Sequence, residues 1–349
     1  MKIAITTDWH IDGKTADAII AQAAAMAAVC KRREVEVVLH AGDMYNRPMI
    51  GNESASTGKL LDVANTAIAA FGENVFHLMI PGNHDSSGAS QEDALHHFDL
   101  IPNVRVARGI QAVNYGGVRV LCVPWSWRGE SAEQAMTGVA EEAGGAADIL
   151  LAHVEVVGAR MGGVHTCDPV AGKWQVSRAF LDSLPVRHVA LGHFHARQSL
   201  CPAGGYVGAL TQLNFGDEGN PAGFEIWDSA TGSTEWINLD AAPKHHTYIV
   251  DEHTPAPTEI PAGVKARIRY VRGMDRVEAR RLEAAGATVE EVIEPTERIQ
   301  RADVRPGVIH DKPGLIRLFA ESQNPPIAGE RLDRMNGAFE ELIADNQAA

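Results

Sequence analysis

Aspartate, asparagine and histidine side chains of this chain occur in five short motifs with the residue types of a metal centre. The motifs are Asp8-Trp9-His10, Gly42-Asp43, Gly82-Asn83-His84-Asp85, His153 and Gly192-His193-Phe194-His195. Their mixed oxygen and nitrogen donors suit manganese, iron, zinc or similar ions. The sequence therefore predicts a metal centre with the ligands Asp8, His10, Asp43, Asn83, His153, His193 and His195.

The elements that must position these motifs are predicted strands, because each motif follows a short apolar run. The predicted strands are 3–6, 35–39, 75–80, 118–123, 149–152 and 186–191, with helices over 16–31 and 58–71. Alternation of this kind predicts an α/β layered sheet. Ligands of such sheets gather at the carboxyl ends of the strands, so the motifs can converge there although they lie far apart in the chain.

Local geometry inside the motifs supports the same prediction. In an extended segment alternate side chains point the same way, so Asp8 and His10, or His193 and His195, can face one site. Glycines at 42, 82 and 192 allow sharp turns and close backbone approach. Each motif alone has a structural explanation, such as a buried core histidine at 153. The five in this order, each after a strand, favour metal binding.

Composition limits the class of protein. The chain has 349 residues, 45% of them hydrophobic and 22% charged, which is typical of a soluble protein with a sizeable core. Four scattered cysteines without a Cys-x-x-Cys pair argue against a disulfide framework and for the cytoplasm. The net charge of −14 argues against tight autonomous binding to nucleic acid, unless metal ions or a partner supply positive charge.

Three regions are predicted along the chain. Residues 1–243 form the layered domain that carries all five motifs. Residues 244–310 read as a small α+β capping domain, with strands at 264–271 and 288–293 and a helix at 275–285. Residues 311–349 read as a helical tail.

The five motifs together resemble those of the calcineurin-like metallophosphoesterase superfamily, D-x-H, G-D, G-N-H-[DE], H and G-H-x-H. The resemblance implies a four-layered α/β/β/α sandwich and two divalent metal ions, with manganese expected and iron, zinc or magnesium as alternatives. By this resemblance Asp8, His10 and His195 hold one ion, Asn83, His153 and His193 hold the other, and Asp43 bridges both. His84 then acts as a catalytic residue at the phosphoryl centre, and Asp85 fixes its orientation.

Within the superfamily, three segments resemble the SbcD-type DNA nucleases. They are the opening Thr7-Asp8-Trp9-His10-Ile11, residues 208–218 and Val123-Pro124-Trp125. The resemblance implies a manganese-dependent exonuclease or endonuclease in DNA recombination and repair, partnered by an SbcC-type coiled-coil ATPase. It also implies a homodimer formed near helix 58–71. The small size and short cap are similar to those of phage-borne relatives.

The DNA-binding expectation has its own residues. Residues 265–281 are rich in Lys and Arg, and Lys265, Arg267 and Arg269 are the candidate contacts to the DNA backbone; the alternative is a solvated surface. Asn46 replaces a second catalytic histidine found in some of these nucleases. It can hydrogen-bond a phosphate but cannot carry a proton at neutral pH.

The tail carries an apolar stripe at helical spacing, formed by Leu332, Met335, Phe339, Leu342 and Ile343. Such a stripe packs on its own domain or binds a partner such as the ATPase. Two other functions stay open: a phosphoesterase for a small diester such as a cyclic nucleotide, and a non-catalytic assembly subunit that recruits the ATPase. The intact His84 and the complete ligand set argue against the second.

Overall fold

The computed structural model describes residues 1–47, 54–88, 92–129, 131–142, 146–162, 165–170, 172–271, 273 and 275–292. One compact unit consists of Met1–Arg269 and Asp275–Glu290, and a second consists of Tyr270–Met274 and Glu291–Ala349. The predicted tail and its apolar stripe lie outside the described residues. The description below therefore concerns the first unit.

The first large sheet has six strands in the order β18-β17-β1-β2-β3-β6. Their bounds are β1 Lys2–Thr6, β2 Val35–His40, β3 Phe76–Met79, β6 Val104–Val106, β17 Gly223–Asp228 and β18 Thr234–Asn238. Strands β1, β2, β3 and β6 pair in parallel, whereas β17 pairs antiparallel with both β1 and β18. The carboxyl ends of β1, β2 and β3 therefore meet at one edge of the sheet.

The second large sheet also has six strands, in the order β15-β16-β14-β9-β8-β7. Their bounds are β7 Gln111–Tyr115, β8 Val118–Val123, β9 Ala147–His153, β14 Val186–Gly192, β15 Gln198–Cys201 and β16 Gly204–Tyr206. Strands β8, β9, β14 and β16 are parallel, and β7 and β15 are antiparallel edge strands. Val186–Gly192 ends with the glycine that opens the last motif, and Ala147–His153 ends with the predicted ligand His153.

The two sheets pack face to face between two layers of helices. On β1, the side chains of Ile3 and Ile5 join the core between the sheets together with Val120 and Ile149 of the second sheet. Ala4, which points to the other face, joins the core under the helices α1 (Ala16–Arg33) and α2 (Ser54–Ala69). Alternation along each strand thus produces two cores from one sequence.

The second sheet is covered in the same way by α3 (Ala132–Glu142) and α4 (Arg178–Ser183). Met136 and Leu181 of these helices belong to one core with Leu150 and Val189 of the sheet. The arrangement confirms the predicted α/β/β/α sandwich. Strand β7 and helix α3 were not predicted, and α2 starts before the predicted residue 58.

Smaller elements complete the unit. They are β4 Ser86–Ser87, β5 Glu92–Asp93, β10 Glu155–Val156, β11 Arg160–Gly162, β12 His165–Thr166 and β13 Gln175–Val176, with 3-10 turns at His96–Leu100 and Phe215–Asp217. A third sheet, β19-β20-β21, comprises Lys244–Val250, Val264–Tyr270 and Thr288–Glu291, with α5 at Arg276–Ala284. The predicted boundary at 243 stays a prediction. In the described residues, no helix is long and apolar enough to cross a membrane.

Candidate metal centre

The predicted ligands converge at the carboxyl edge that the two large sheets share. Ligand atoms of Asp8, His10 and His195 lie within 4.8 Å of one another. A second group, Asp43, His153 and His193, meets the same limit. We call Asp8, His10 and His195 the first half-site and Asn83, His153 and His193 the second half-site, with Asp43 between them.

Backbone conformation, rather than extended alternation, aims several of these side chains. Asp8, His10, Asp43 and His193 have φ values of 52°, 46°, 56° and 112°. Non-glycine residues seldom adopt positive φ, and such strain concentrates at functional sites. The prediction that Asp8 and His10 converge along an extended segment is wrong, because left-handed turns after β1 turn both side chains toward the site.

Glycines allow the loops to approach closely. A Cβ atom on Gly82 would clash with the carboxylate of Asp43, and one on Gly42 would clash with the His153 ring. Gly42 also has a φ of 95°, which glycine adopts without strain. The close approach expected of these glycines is therefore confirmed.

The first half-site contains a buried histidine, His10, whose ring makes no hydrogen bond in the described residues. Both ring nitrogens of His10 lack a hydrogen-bond partner within the described part of the chain, although the residue is only 3% exposed. Its Nε2 lies 3.8 Å from Asp8 Oδ1 and 3.6 Å from Asp43 Oδ2. Since an unpaired buried ring nitrogen is costly, this arrangement fits a cation between the imidazole and the two carboxylates.

The second half-site is linked by hydrogen-bond distances. Asn83 Oδ1 lies 2.9 Å from His153 Nε2 and 2.9 Å from His193 Nδ1. The second ring nitrogen of each histidine faces an oxygen on the side away from Asn83. His153 Nδ1 lies 2.7 Å from the carbonyl oxygen of Ala41, and His193 Nε2 lies 3.5 Å from Glu155 Oε1. Three donor atoms therefore face one point.

Against the effect of burial, neighbouring histidines lower the pKa values of Asp43 and Asp8 and so keep these two carboxylates ionised. Burial raises the pKa of Asp43, but the neighbouring charges of His153 and His10 outweigh it and hold the pKa well below its usual range. Burial lowers the pKa of His153, but the charge of Asp43 and the hydrogen bond with it raise the value to about 9. The net pKa of Asp8 is also lowered against burial, mainly by His10. Ionised carboxylates beside imidazoles are the donor set that divalent ions need.

His84 lies beside His10 and Asp43, and its orientation differs from the prediction. Its Nδ1 lies 2.8 Å from the carbonyl oxygen of Asn46, and its backbone N–H donates to Asp43 Oδ1 at 2.8 Å. Asp85 instead accepts backbone N–H groups of Met44, Tyr45 and Gly82. The prediction that Asp85 fixes His84 is wrong, because the buried Asp85 carboxylate ties together the loops after β2 and β3.

Burial and the charge of Asp43 raise the pKa of Asp85 to about 7, against the lowering effect of its three backbone hydrogen bonds. Asp85 is fully buried and its carboxylate accepts three backbone hydrogen bonds, so these contacts make it a positioning residue. Asp85 therefore contacts the loop backbone rather than the His84 ring that the motif led us to expect.

The predicted substrate contacts have partners of their own. Asn46 Nδ2 donates to Asp12 Oδ2 at 2.9 Å, which leaves its second amide hydrogen for a phosphate. Arg267 packs over the Phe215 ring and donates to Thr247, and Arg269 pairs with Glu290 at 3.0 Å. Lys265 is exposed. Contact of these residues with DNA stays a prediction.

A family model described as calcineurin-like phosphoesterase matches residues 1–197. The chain belongs to this family. The matched segment runs from the first strand through both histidines of the last motif, so it contains every predicted ligand. No curated protein sequence gave a match. Membership implies a metal-dependent phosphoesterase.

Three residues of this phosphoesterase support the ligands and were not predicted. Asp217 lies 3.2 Å from His195 Nδ1, Glu155 holds His193, and the Trp125 ring stacks on His193 with centroids 5.1 Å apart. Asp217 and Trp125 lie in segments that resemble those of SbcD-type nucleases, but their residue types alone do not predict a contact with a histidine. A carboxylate behind each imidazole is usual for metal-bound histidines, and that expectation was the available signal.

Proposed function

We propose that this phosphoesterase is a manganese-dependent nuclease that hydrolyses phosphodiester bonds of DNA. The observation that supports hydrolysis most directly is the pair of half-sites on either side of the buried Asp43, with His84 against Asp43 and the first half-site. DNA as substrate, and DNA repair as the process, rest on the resemblance to SbcD-type nucleases.

The protein residues have separate roles in this proposal. Asp8, His10 and His195 would hold one ion, Asn83, His153 and His193 would hold the other, and Asp43 would serve both. When bound, the two ions offset phosphate charge and activate water for in-line attack. The remaining contributions come from His84, which acts on the substrate, and from side chains that orient the ligands.

His84 is the residue proposed to act on the substrate. Because Nδ1 donates to the carbonyl oxygen of Asn46, Nε2 is the nitrogen left to face the scissile phosphate. The His84 ring packs edge to face on the His10 ring, with centroids 4.7 Å apart, which keeps it beside the first half-site. A proton on Nε2 can stabilise the crowded phosphoryl oxygens or pass to the leaving oxygen.

The charge of the chain fits a substrate bound mainly through the centre. With a net charge of −14, the protein repels a polyanion over most of its surface, and two bound cations reverse the sign locally. We propose that an SbcC-type ATPase and a second copy of the chain supply further contacts. The basic residues Lys265, Arg267 and Arg269 add to them.

The test is digestion of end-labelled linear duplex and single-stranded DNA with Mn²⁺, before and after EDTA. We expect EDTA-sensitive cleavage that falls by roughly a hundredfold or more in His84→Ala, since general acid–base groups contribute about 10²–10⁴. The matched control is His96→Ala, which removes an exposed histidine that pairs with Asp99 and should leave cleavage unchanged.

Two outcomes would overturn the proposal. Turnover of a cyclic nucleotide with intact DNA would assign the centre to a small diester. Cleavage equal in His84→Ala and in the wild-type protein would point to an assembly subunit or a contaminating nuclease.

A further inference from the structure

A row of aromatic rings leads from the metal centre to the surface. The ring of Trp125 stacks on that of His193, with centroids 5.1 Å apart and an interplanar angle of 25°. Trp127 packs edge to face on Trp125, with centroids 5.5 Å apart. Trp125 is 9% exposed and Trp127 is 43% exposed. The row therefore starts at a predicted ligand and ends in an open indole.

Trp127 is tied to the loop that carries Asn83 and His84. Its Nε1 donates to Ser86 Oγ at 3.1 Å, and Ser86 Oγ donates to the carbonyl oxygen of Gly82 at 3.0 Å. The backbone N–H of Trp125 donates to the carbonyl oxygen of Pro81 at 3.1 Å. The indole N–H of Trp127 is thus satisfied on the protein side, and its apolar ring stays available to solvent.

Three other exposed apolar side chains differ from Trp127, which combines a hydrogen-bonded indole with a ring contact leading to the centre. Leu100 and Val277 are 86% and 80% exposed and belong to no aromatic row in the described residues. Tyr115 stacks on Phe76 with centroids 4.4 Å apart and an interplanar angle of 3°, so one of its faces is covered. Isolated exposed apolar residues are common and need no function, whereas the Trp127 indole is anchored by a hydrogen bond and joined through Trp125 to His193.

We propose that Trp127 is a stacking platform for an unpaired nucleobase next to the scissile phosphate. The inference rests on the proposed function and names its substrate class: a nucleotide strand whose base is free to leave its partner. Stacking on an aromatic ring suits every base and gives no sequence preference. A base inside a duplex has both faces covered, so single-stranded or frayed ends are the substrates that Trp127 favours.

The test compares two single-stranded oligonucleotides of equal length, one of thymidines and one whose nucleotides at the labelled end lack bases. Since stacking on an aromatic side chain contributes about 1–3 kcal/mol per base, we expect the wild-type kcat/KM to favour the base by roughly 5- to 150-fold. The ratio should approach one in Trp127→Ala and be largely kept in Trp127→Phe. Tyr115→Ala, which removes an exposed aromatic elsewhere, should leave the ratio unchanged.

A binding measurement separates this inference from the nuclease proposal. Fluorescence anisotropy of the same labelled strands, with Mn²⁺ present, gives the base-dependent ratio of Kd values without cleavage. If no strand is cleaved but Trp127→Ala removes a base-dependent affinity, the nuclease proposal fails and the platform stands. If wild-type protein and Trp127→Ala show the same ratio, or wild-type protein shows no preference for the base, the platform is overturned.

Discussion

His10 of the first half-site is oriented by different physical means from the two histidines of the second half-site. In the second half-site, His153 and His193 are each held by a fixed acceptor on the side away from the centre. In the first, the ring of His10 makes no hydrogen bond in the described chain and is placed by left-handed backbone and by ring contacts with His84 and His195. His153 and His193 are thus positioned by acceptors behind their rings, as His195 is by Asp217, whereas His10 is positioned by the shape of its loop.

The difference shows how a phosphoesterase centre can be built from unlike parts. Hydrogen bonds fix the tautomer and rotation of an imidazole, so the second half-site is prepared before any ion arrives. Backbone strain fixes the position of His10 but leaves its nitrogens unsatisfied, so the first half-site gains more from the ion itself. Asp43 lies between the two half-sites, so a substitution of Asp43 should weaken metal binding at both.

The largest effect is expected from Asp43→Asn. The substitution removes one negative charge from both half-sites while keeping the shape of the side chain. Loss of a bridging carboxylate should cost about 4 kcal/mol of transition-state stabilisation, about a thousandfold in kcat, because metal ions supply several kcal/mol there. Metal content by elemental analysis and diester hydrolysis would be measured together.

Asp148→Asn is the matched control, because Asp148 also accepts hydrogen bonds, from Arg119 N and Arg187, but lies away from the centre. An Asp43→Asn protein that still binds two ions would break the comparison, since Asp43 would then belong to neither half-site.

Gly82→Ala tests the close approach that both half-sites share. The added methyl group would meet the Asp43 carboxylate and backbone, and overpacking of this kind costs roughly 1–3 kcal/mol. Denaturant unfolding of the metal-free protein should show that loss, and metal affinity should fall as Asp43 is displaced. Gly13→Ala adds its methyl group in open space and should change neither quantity. Equal stability of the two variants would show that the loop relaxes without cost.

Asp217→Asn sharpens the comparison by weakening one half-site alone. Burial lowers the pKa of His195, but the hydrogen bond with Asp217 raises it above its usual value. Without that carboxylate, the affinity of the first half-site for Mn²⁺ should fall about 10–100-fold, whereas the second half-site should keep its affinity.

Glu155→Gln should lower the affinity of the second half-site, and by less, because the Glu155 contact with His193 is longer. Calorimetric titration with Mn²⁺ resolves the two steps, and equal weakening of both steps in either variant would contradict the separate supports.

Much of this arrangement follows from local sequence. Strand ends place Asp8, Asp43, Asn83 and His193 at one edge because parallel strands share an orientation, and that rule needs only the order of elements. The convergence of these side chains is observed, and their roles as ligands stay a prediction. Glycines at 42 and 82 were interpreted correctly because their close approach is a property of the residue type.

The remaining features depend on tertiary contacts that no local pattern encodes. Asp217 reaches His195 and Glu155 reaches His193 only after distant segments pack together. The positive φ of Asp8 and His10 is imposed by backbone hydrogen bonds to the loop after β2, such as Asp8 N to the carbonyl oxygen of Gly42 at 3.0 Å. The extended geometry was predicted because the residue types give no sign of that constraint.

The smallest effect is expected at another buried histidine, His77, whose ring also lacks hydrogen bonds in the described residues. It shows how burial alone changes the pKa of such a ring. His77 is 1% exposed, packs on Phe71, and has no hydrogen-bond partner for either ring nitrogen in the described residues. Burial lowers the pKa of His77 to about 4. Because the folded pKa lies below the ordinary value near 6.5, the unfolded chain binds the proton first, and stability present above pH 6.5 is lost as pH falls toward 4.

His77→Leu should therefore remove an acid sensitivity. Between pH 7.5 and pH 5.5 the wild-type free energy of unfolding should fall by about 1.4 kcal/mol more than that of His77→Leu. Urea unfolding of EDTA-treated protein at the two pH values measures this difference, and His253→Leu, which removes an exposed imidazole, should give curves that stay parallel to the wild type. Added Mn²⁺ should leave the His77 difference unchanged, because within the described residues His77 belongs to no group of side chains that could hold an ion. If Mn²⁺ removed the difference, an unpartnered buried ring would by itself predict a ligand, and the contrast between His10 and the core would fail.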